Sequence, residues 1–547
     1  MNVLELFHEN ARAHPAAAAI IAGKAGRETV LSFGELDLRS RKLATLLMRD
    51  GLQAGDAVAV FVPMSPALYV ILAALLRVGA LPVFADPAAA REALVHAQSH
   101  LPLRGFIGIP VACAWRLFTP ELRRIAMVWV AGPLFPGARS LRAADGLPPC
   151  DHIADMQPDA PAVVTFTSGT SGRPKGVIRS HGVLAETHRI LSGHLGIAPG
   201  EIDVAVLPFV VFANLAAGAG SLIPDADLRR PGAIDAARLA SQVRAWSPTG
   251  IVASPSLLER IADEASANGA ALDSLRRVFA GGAPVFPHVL DKLAVAAPHA
   301  RIHAIYGATE AEPIATLSRD ELGEDDRAAT RHGQGLLAGR PVPEVRLRIL
   351  RDRFGEPLGP WTGAELDEAT VPAGDAGEIV VCGKHVVAGY LGGAGDRELK
   401  IRVGPDTWHR TGDAGRLDAQ GRLWLLGSCK ARVADARGCR YPLAVDAALA
   451  EGPWASRATL VREAERVLLV VEVRGTADED SLVAAARDVA WAGVDEVVSM
   501  DRLPRDRRHD AKIDQPRLRE LLEAERWSHR VPLAGQDLAG PGGQRGG

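Results

Sequence analysis

The sequence predicts an α/β protein, with a large N-terminal body of parallel-sheet α/β subdomains, a small β-rich subdomain and a small α+β unit at the C-terminal end. Three observations lead there. Short β-rich runs alternate with helical stretches up to Gly307, a rhythm that implies a parallel sheet covered by helices. After Gly339 short strands follow one another between turn residues. The chain has 547 residues, 48% apolar and 23% charged, enough for several cores and inconsistent with a wholly fibrous or disordered chain.

Leu4 to Ala13 and Ser32 to Leu47 have helical periodicity, and Ser32 with Glu35 three residues on has capping-box spacing. Ala57–Pro63 and Leu81–Asp86 are strands around a helix from Ser65 to Val78. The rhythm returns in strands at Val204–Phe209, Gly250–Ser254, Arg277–Gly282 and Arg301–Gly307, with a helix from Asp235 to Trp246. Arg346–Leu350, Gly377–Gly383 and Gly421–Gly427 are the short strands of the β-rich part. Thr459–Val473 forms a hairpin with two helices beyond it, and Gly-rich, apolar-poor Val531–Gly547 is expected to be a disordered tail.

Formal charge is 62 − 65 = −3 with both signs interspersed, so no basic surface for nucleic acid is indicated. The five cysteines (Cys113, Cys150, Cys382, Cys429, Cys439) contain no CxxC pair and fit reduced thiols, which makes a cytoplasmic location the expectation. MNVLELFHENARAHP has no apolar signal core. The charge-free run Val204–Pro224 is interrupted by Pro208, Asn214, Gly218 and Gly220, so no transmembrane segment is expected. Lys occurs only eight times, which makes a Lys inside a motif more informative than usual.

The segment Val163–Gly182 is the most informative. Its strand runs into Thr167, Ser168, Gly169, Thr170, Ser171, Gly172, Arg173, Pro174, Lys175 and Gly176, where hydroxyls, glycine backbone N–H groups and one ammonium can converge on a phosphate. The spacing does not fit GxxxxGK[ST], and Pro174 opposes a helix start at Lys175, so P-loop NTPase chemistry is disfavoured.

This segment resembles the phosphate loop of the adenylate-forming superfamily of acyl-CoA synthetases, luciferases and peptide-synthetase adenylation domains. Four further blocks fall in that family's order: Ala280–Pro284, Tyr306–Pro313, Gly377–Gly383 with Gly389–Leu391, and Trp408–Asp413. The resemblance covers Val3 to Trp527. It implies an N-terminal AMP-binding domain over 1–429, a hinge at Lys430 and a mobile α+β domain over 430–530, with the tail at 531–547. It implies ATP and Mg²⁺ as cofactors, and an adenine-binding turn at Gly281, Gly282, Ala283 and Pro284. Tyr306 and Gly307 would lie against adenine, Thr309 would meet the α-phosphate and Glu310 would be the Mg²⁺ ligand. Asp413 would accept from ribose hydroxyls, and Lys512 would neutralise charge at the α-phosphate during adenylation. One position departs: the hinge block reads Gly427, Ser428, Cys429, Lys430, with Ser428 where the family generally has a nucleotide-touching Arg. Either Arg432 or Arg437 compensates, or nucleotide affinity is weak.

Within the superfamily the chain looks most like the β-lactone synthetases of bacterial olefin pathways, judging by Ser221–Leu239, Tyr306–Pro313 and Arg507–Asp514. That resemblance implies a β-hydroxy acid whose hydroxyl closes onto its own acyl adenylate, a small-molecule substrate with no nucleic-acid or integral membrane contact. The alternatives are an acyl-CoA ligase or carrier-protein loading enzyme, with CoA or acyl carrier protein as partner, and a nucleotide-binding homologue without turnover. Phe209, Phe212, Leu215, Val252 and Ser254 are candidates for the acyl pocket, with core packing as the competing role. His181 is a candidate base, with a structural role the stronger reading.

Overall fold

The computed structural model describes residues 1–85, 90–167, 174–228, 231–474, 478–505 and 512–533. Local sequence signals set many of its element boundaries. The Ser32 hydroxyl accepts from the Glu35 N–H while the Glu35 carboxylate accepts from the Ser32 N–H, and this capping box starts helix Phe33–Arg49. Helix Pro66–Val78 begins with proline in its first turn and ends at Gly79, whose φ of +79° suits glycine.

Two sheets with parallel cores form the body. In the first, Ala57–Phe61, Leu81–Phe84, Leu103–Gly108, Met127–Val130 and Pro161–Thr167 run parallel, and Lys175–Ser180 returns antiparallel to Pro161–Thr167. In the second, Ile202–Ala205, Gly250–Ala253, Arg277–Gly281 and Arg301–Ala308 run parallel. That sheet continues antiparallel through Ala311–Ser318 and Leu336–Pro341 into the β-rich strands by way of Leu423–Ser428. The expected α/β and β parts are therefore fused through one hydrogen-bonded sheet.

Two sequence expectations change. Val204–Phe209 is not one strand, because Pro208 begins helix Pro208–Ala217, a position where its missing N–H has no cost. Thr411–Gly412, which reads in the sequence as a turn leading into Asp413, is instead part of the long strand Asp406–Leu417, which tolerates Gly412 at φ +73°.

The C-terminal unit has a four-stranded sheet, Ala455–Glu463, Arg466–Val473, Glu496–Met500 and His529–Pro532, with helices Glu479–Asp488 and Gln515–Glu523. Val531 and Pro532 pair with Val497 and Glu496, so ordered structure extends past 530; residues 534–547 of the expected tail lie outside the described residues. Helix Pro442–Ala450 joins the units: Ala447 and Ala450 belong to the core of the body, while Val445, Ala448 and Leu449 belong to the core of the C-terminal sheet.

The β-rich part is centred on a charged pair. Arg410 donates from Nη2 to Glu378 at 2.6 Å and from Nε to both carboxylate oxygens at 3.1 Å, with both side chains fully buried. Its remaining N–H groups donate to the carbonyls of Glu356, Glu398 and Arg353. Breaking a satisfied buried pair leaves an uncompensated charge. Glu378→Gln is therefore expected to lower unfolding free energy by about 3–5 kcal/mol, seen as a lower denaturant midpoint at unchanged m. A loss below about 1 kcal/mol would contradict the central role of the pair.

Candidate active site

Stretches far apart in sequence converge on one cavity of about 250 Å³. Strand Arg277–Gly281 delivers the turn Gly282–Ala283–Pro284, and its parallel neighbour Arg301–Ala308 delivers Tyr306 and Gly307. Gly282 has φ +79°, and a Cβ on Gly281 would lie 3.1 Å from the Ile305 carbonyl, so both glycines have a backbone reason. Asp413 and Ser428 enter from opposite, register-paired positions of two antiparallel strands. The C-terminal unit closes the far side with Asp446, Arg457, Thr459, Lys512, Ile513 and Gln515.

The Tyr306 hydroxyl donates to Asp413 Oδ2 at 2.9 Å, joining the two blocks across 107 residues of sequence. The Asp413 N–H donates to the Thr411 hydroxyl at 3.1 Å, which fixes the strand locally. Burial pushes the Asp413 carboxyl above its ordinary value, against the pull of the Lys512 charge and the Tyr306 hydrogen bond. Burial also pushes the Tyr306 phenol well up, and the neighbouring Asp413 charge adds to it. This end of the cavity is therefore an apolar slot with a carboxylate at one wall and an ammonium beside it.

Glu310 and Thr309 sit at the turn between Arg301–Ala308 and Ala311–Ser318, outside the residues that line this cavity. The Tyr390 hydroxyl donates to Glu310 Oε1 at 2.7 Å, and His409 Nε2 lies 3.9 Å from Oε2. The Glu310 carbonyl accepts from the Val387 N–H at 2.8 Å. Lys175 and Lys400 place their ammonium groups 5.8 and 5.2 Å from the Tyr390 ring centroid. Burial lowers the Lys400 ammonium to about 8, opposed by the Glu310 and Asp396 charges; it lowers Lys175 too, opposed by Glu398 and Glu310. Arg179 donates to the Thr309 carbonyl at 2.8 Å and to the Thr165 hydroxyl at 3.0 Å. The fold thus clusters carboxylate, phenol and two ammonium groups beside the phosphate-loop hairpin, an arrangement suited to a polyphosphate and a divalent cation.

Seven of the expected nucleotide-site residues line the cavity together, Gly282, Ala283, Pro284, Tyr306, Gly307, Asp413 and Lys512, and so does the departing Ser428. Lys175 opens the strand after the phosphate loop, and Thr167 closes the strand before it. Ser168, Gly169, Thr170, Ser171 and Gly172 lie outside the described residues. None of the five acyl-pocket candidates lines the cavity. Leu215 and Val252 are buried in the core of the body, and Phe209 and Phe212 pack against it. Ser254 shares a 3.4 Å hydrogen bond with Ser256.

Lys430 lies in the single turn Cys429–Ala431 that leads out of the body, and a Cβ on Gly427 just before it would sit 3.0 Å from Leu443. Neither expected substitute for the missing arginine lines the cavity: Arg432 pairs with Asp352 at 3.2 Å and donates to the Cys429 carbonyl, and Arg437 pairs with Asp435 and Asp495. Tyr390 and Lys400 had been visible in the sequence only as the tyrosine of the Gly389–Leu391 block and as one of eight lysines, without a role. Arg179, Asp446 and Arg457 had no local signal.

The profile of the family described as AMP-binding enzyme matches residues 7–391, well over half of the chain. The chain belongs to the AMP-binding enzymes. This AMP-binding enzyme is 32% identical over 527 residues to the olefin beta-lactone synthetase of Stenotrophomonas maltophilia strain K279a, covering 92% of this chain and 93% of that one. It is 31% identical over 520 residues to the olefin beta-lactone synthetase of Xanthomonas campestris pv. campestris strain ATCC 33913, covering 91% of each. Among solved structures, the amide bond synthetase McbA from Marinactinospora thermotolerans shares the fold at a TM-score of 0.76 and 22% identity, over 95% of this chain and 99% of that one. ATP-bound MatB from Rhodopseudomonas palustris does so at 0.74 and 21%, over 96% and 99%. The AMP-binding enzyme is an AMP-forming synthetase that uses ATP to activate a carboxylic acid as an acyl adenylate. No described helix is long and apolar enough to cross a membrane.

His181 is structural in this AMP-binding enzyme. It is buried, and its Nδ1 accepts from the Val3 N–H at 3.1 Å. Burial holds its imidazole down to about 4, with the positive N-terminus adding to the effect. The unfolded chain binds a proton here near pH 6.5 while the folded chain does not, so stability falls as pH drops from about 6.5 to 4. His181→Gln keeps an acceptor for Val3 and is expected to flatten this fall by up to about 3 kcal/mol, read as the difference between parent and variant in denaturant midpoints across pH 4–7. Parallel curves would rule out the linkage.

Proposed function

We propose that the AMP-binding enzyme activates a β-hydroxy acid and then closes it to a β-lactone. The observation that carries this reading is the alignment with two olefin beta-lactone synthetases, at 32% and 31% identity, over more than nine-tenths of each chain. The site supports it, because Tyr306, Asp413 and Lys512 already share one cavity with the C-terminal unit packed on the body. We take residues 1–429 as the AMP-binding body, a C-terminal domain that starts at 430 and includes strand His529–Pro532, and Lys430 as the hinge between them.

In the first step an oxygen of the acid attacks the α-phosphorus of ATP. The bond from that phosphorus to the bridging oxygen breaks, and pyrophosphate leaves. Tyr306 stacks on adenine against Gly281–Pro284, and Asp413 exchanges its Tyr306 hydrogen bond for the ribose hydroxyls. Thr309 meets the α-phosphate, Lys175 and the phosphate loop hold the β- and γ-phosphates, and Lys512 stabilises charge at the α-phosphate. In the second step the β-hydroxyl oxygen attacks the acyl carbon, the bond to AMP breaks, and the hydroxyl proton leaves to solvent or to the departing phosphate. Ring closure needs no second substrate, only a chain held so that hydroxyl and carbonyl are adjacent.

The residues present fit Mg²⁺. Such a cation is held through one or two carboxylates together with substrate phosphates rather than by a cage of protein ligands. Glu310, oriented by Tyr390, offers one such carboxylate, and no group of three His, Cys, Asp or Glu that could hold a metal occurs among the described residues. When bound, the ion would offset the charge of the triphosphate.

Incubation with ATP, Mg²⁺ and a panel of β-hydroxy acids, with and without CoA, tests the reading. The expected product is the acid minus water, formed without CoA. A thioester formed only with CoA would replace the lactone reading by acyl-CoA ligation, and nucleotide binding without pyrophosphate release would remove turnover altogether. Lys512→Ala is expected to lower acid-dependent pyrophosphate release by at least about 100-fold with an unchanged circular dichroism spectrum. Undiminished release would exclude Lys512 from the first step.

A further inference from the structure

An anionic nucleotide entering the cavity meets few positive charges. Among the described residues that line it, the cations are Lys512 and Arg457, both carried by the C-terminal unit, and the anions are Asp413 and Asp446. Ser428, on the body side opposite Asp413, contributes only a hydroxyl, which makes a 3.5 Å contact with the Gly412 carbonyl. Arg432 and Arg437, paired with Asp352, Asp435 and Asp495, do not line the cavity.

Arg457 is placed with care. It lies on strand Ala455–Glu463 with only 9% of its surface exposed. Its Nη2 donates to Asp446 Oδ2 at 2.8 Å and its Nε lies 3.1–3.2 Å from both carboxylate oxygens. The guanidinium carbon stands 5.6 Å from the ring centroid of Phe286, two residues beyond Pro284 of the glycine turn. Asp446 also accepts from the Ala458 N–H at 2.8 Å, which locks carboxylate and strand together. A buried ion pair adds little net stability compared with apolar residues of similar size. A guanidinium fixed by a carboxylate below and an aromatic face beside it, at the wall of a nucleotide cavity, is preorganised for an anion.

We propose that Arg457 is a nucleotide-binding residue, its guanidinium held by Asp446 and Phe286 so that it supplies the positive charge that Ser428 does not. The inference rests on the AMP-binding assignment but not on the lactone step, so it stands whether the product is a lactone or a thioester.

The test is calorimetric titration of the full chain with AMP and with a non-hydrolysable ATP analogue, without acid substrate. Arg457→Met is expected to weaken both by at least about tenfold. Ser428→Arg in the Arg457→Met background puts a guanidinium into the same cavity from the body side and is expected to recover most of the loss. A loss below about threefold in Arg457→Met, or no recovery in the double variant, would each overturn the proposal. Arg457→Gln takes the place of Arg457→Met if the latter does not fold, with the same thresholds.

Discussion

Arg410 and Glu378 touch no part of the cavity, yet their pairing fixes the strand from which two site residues project. Arg410 ties strand Asp406–Leu417 to Gly377–Cys382 and to three carbonyls of the surrounding loops. That sets where His409 meets Glu310 and where Asp413 meets Tyr306. A carboxylate that must meet the Tyr306 hydroxyl at 2.9 Å cannot be placed by apolar packing alone, since packing tolerates small slips that hydrogen bonding does not. A satisfied ionic network inside the sheet supplies the missing register, although such a pair contributes little net stability.

The same division between placement and stability recurs at the junction of the two units. Helix Pro442–Ala450 is apolar on both faces because both faces are covered, one by the body and one by the C-terminal sheet. Polar contacts add direction: Glu451 meets His288 and Arg327, and Tyr441 donates to Asp352 at 2.8 Å. These contacts place Asp446, Arg457 and Lys512 across the cavity from Tyr306 and Asp413. The site is therefore assembled by docking, and neither unit holds the complete set of charges.

Much of this was legible in the sequence where function is encoded locally. The glycine turn, Tyr306, Asp413 and Lys512 stand in short blocks whose backbone needs and side chains are visible without the fold, and the structure gathers them in one cavity. The acyl-pocket candidates failed to gather there because Phe209, Phe212 and Leu215 carry only hydrophobicity, which cannot distinguish a pocket wall from a core, and Pro208 turned their segment into a helix. Tyr390 was hidden for a different reason: its partner Glu310 lies 80 residues away, on another strand connection. Arg457 and Asp446 are only 11 residues apart, but their meaning comes from docking onto Phe286, which no local pattern encodes.

The distribution of charge has a thermodynamic consequence. Asp413 and Glu310 belong to the body together with Lys175 and Lys400, whereas Lys512 and Arg457 arrive with the C-terminal unit. A nucleotide touching both sets binds the docked arrangement more tightly than any arrangement in which the units are apart, and by that difference it stabilises docking. In the proposed reaction, release of pyrophosphate would remove the charge assigned to the body's lysines and leave the AMP moiety between Asp413 and the C-terminal cations. The docked state would then be held at its nucleotide end while the acyl carbon awaits attack. Intramolecular ring closure, the proposed second step, is compatible with such a state because its nucleophile is already inside.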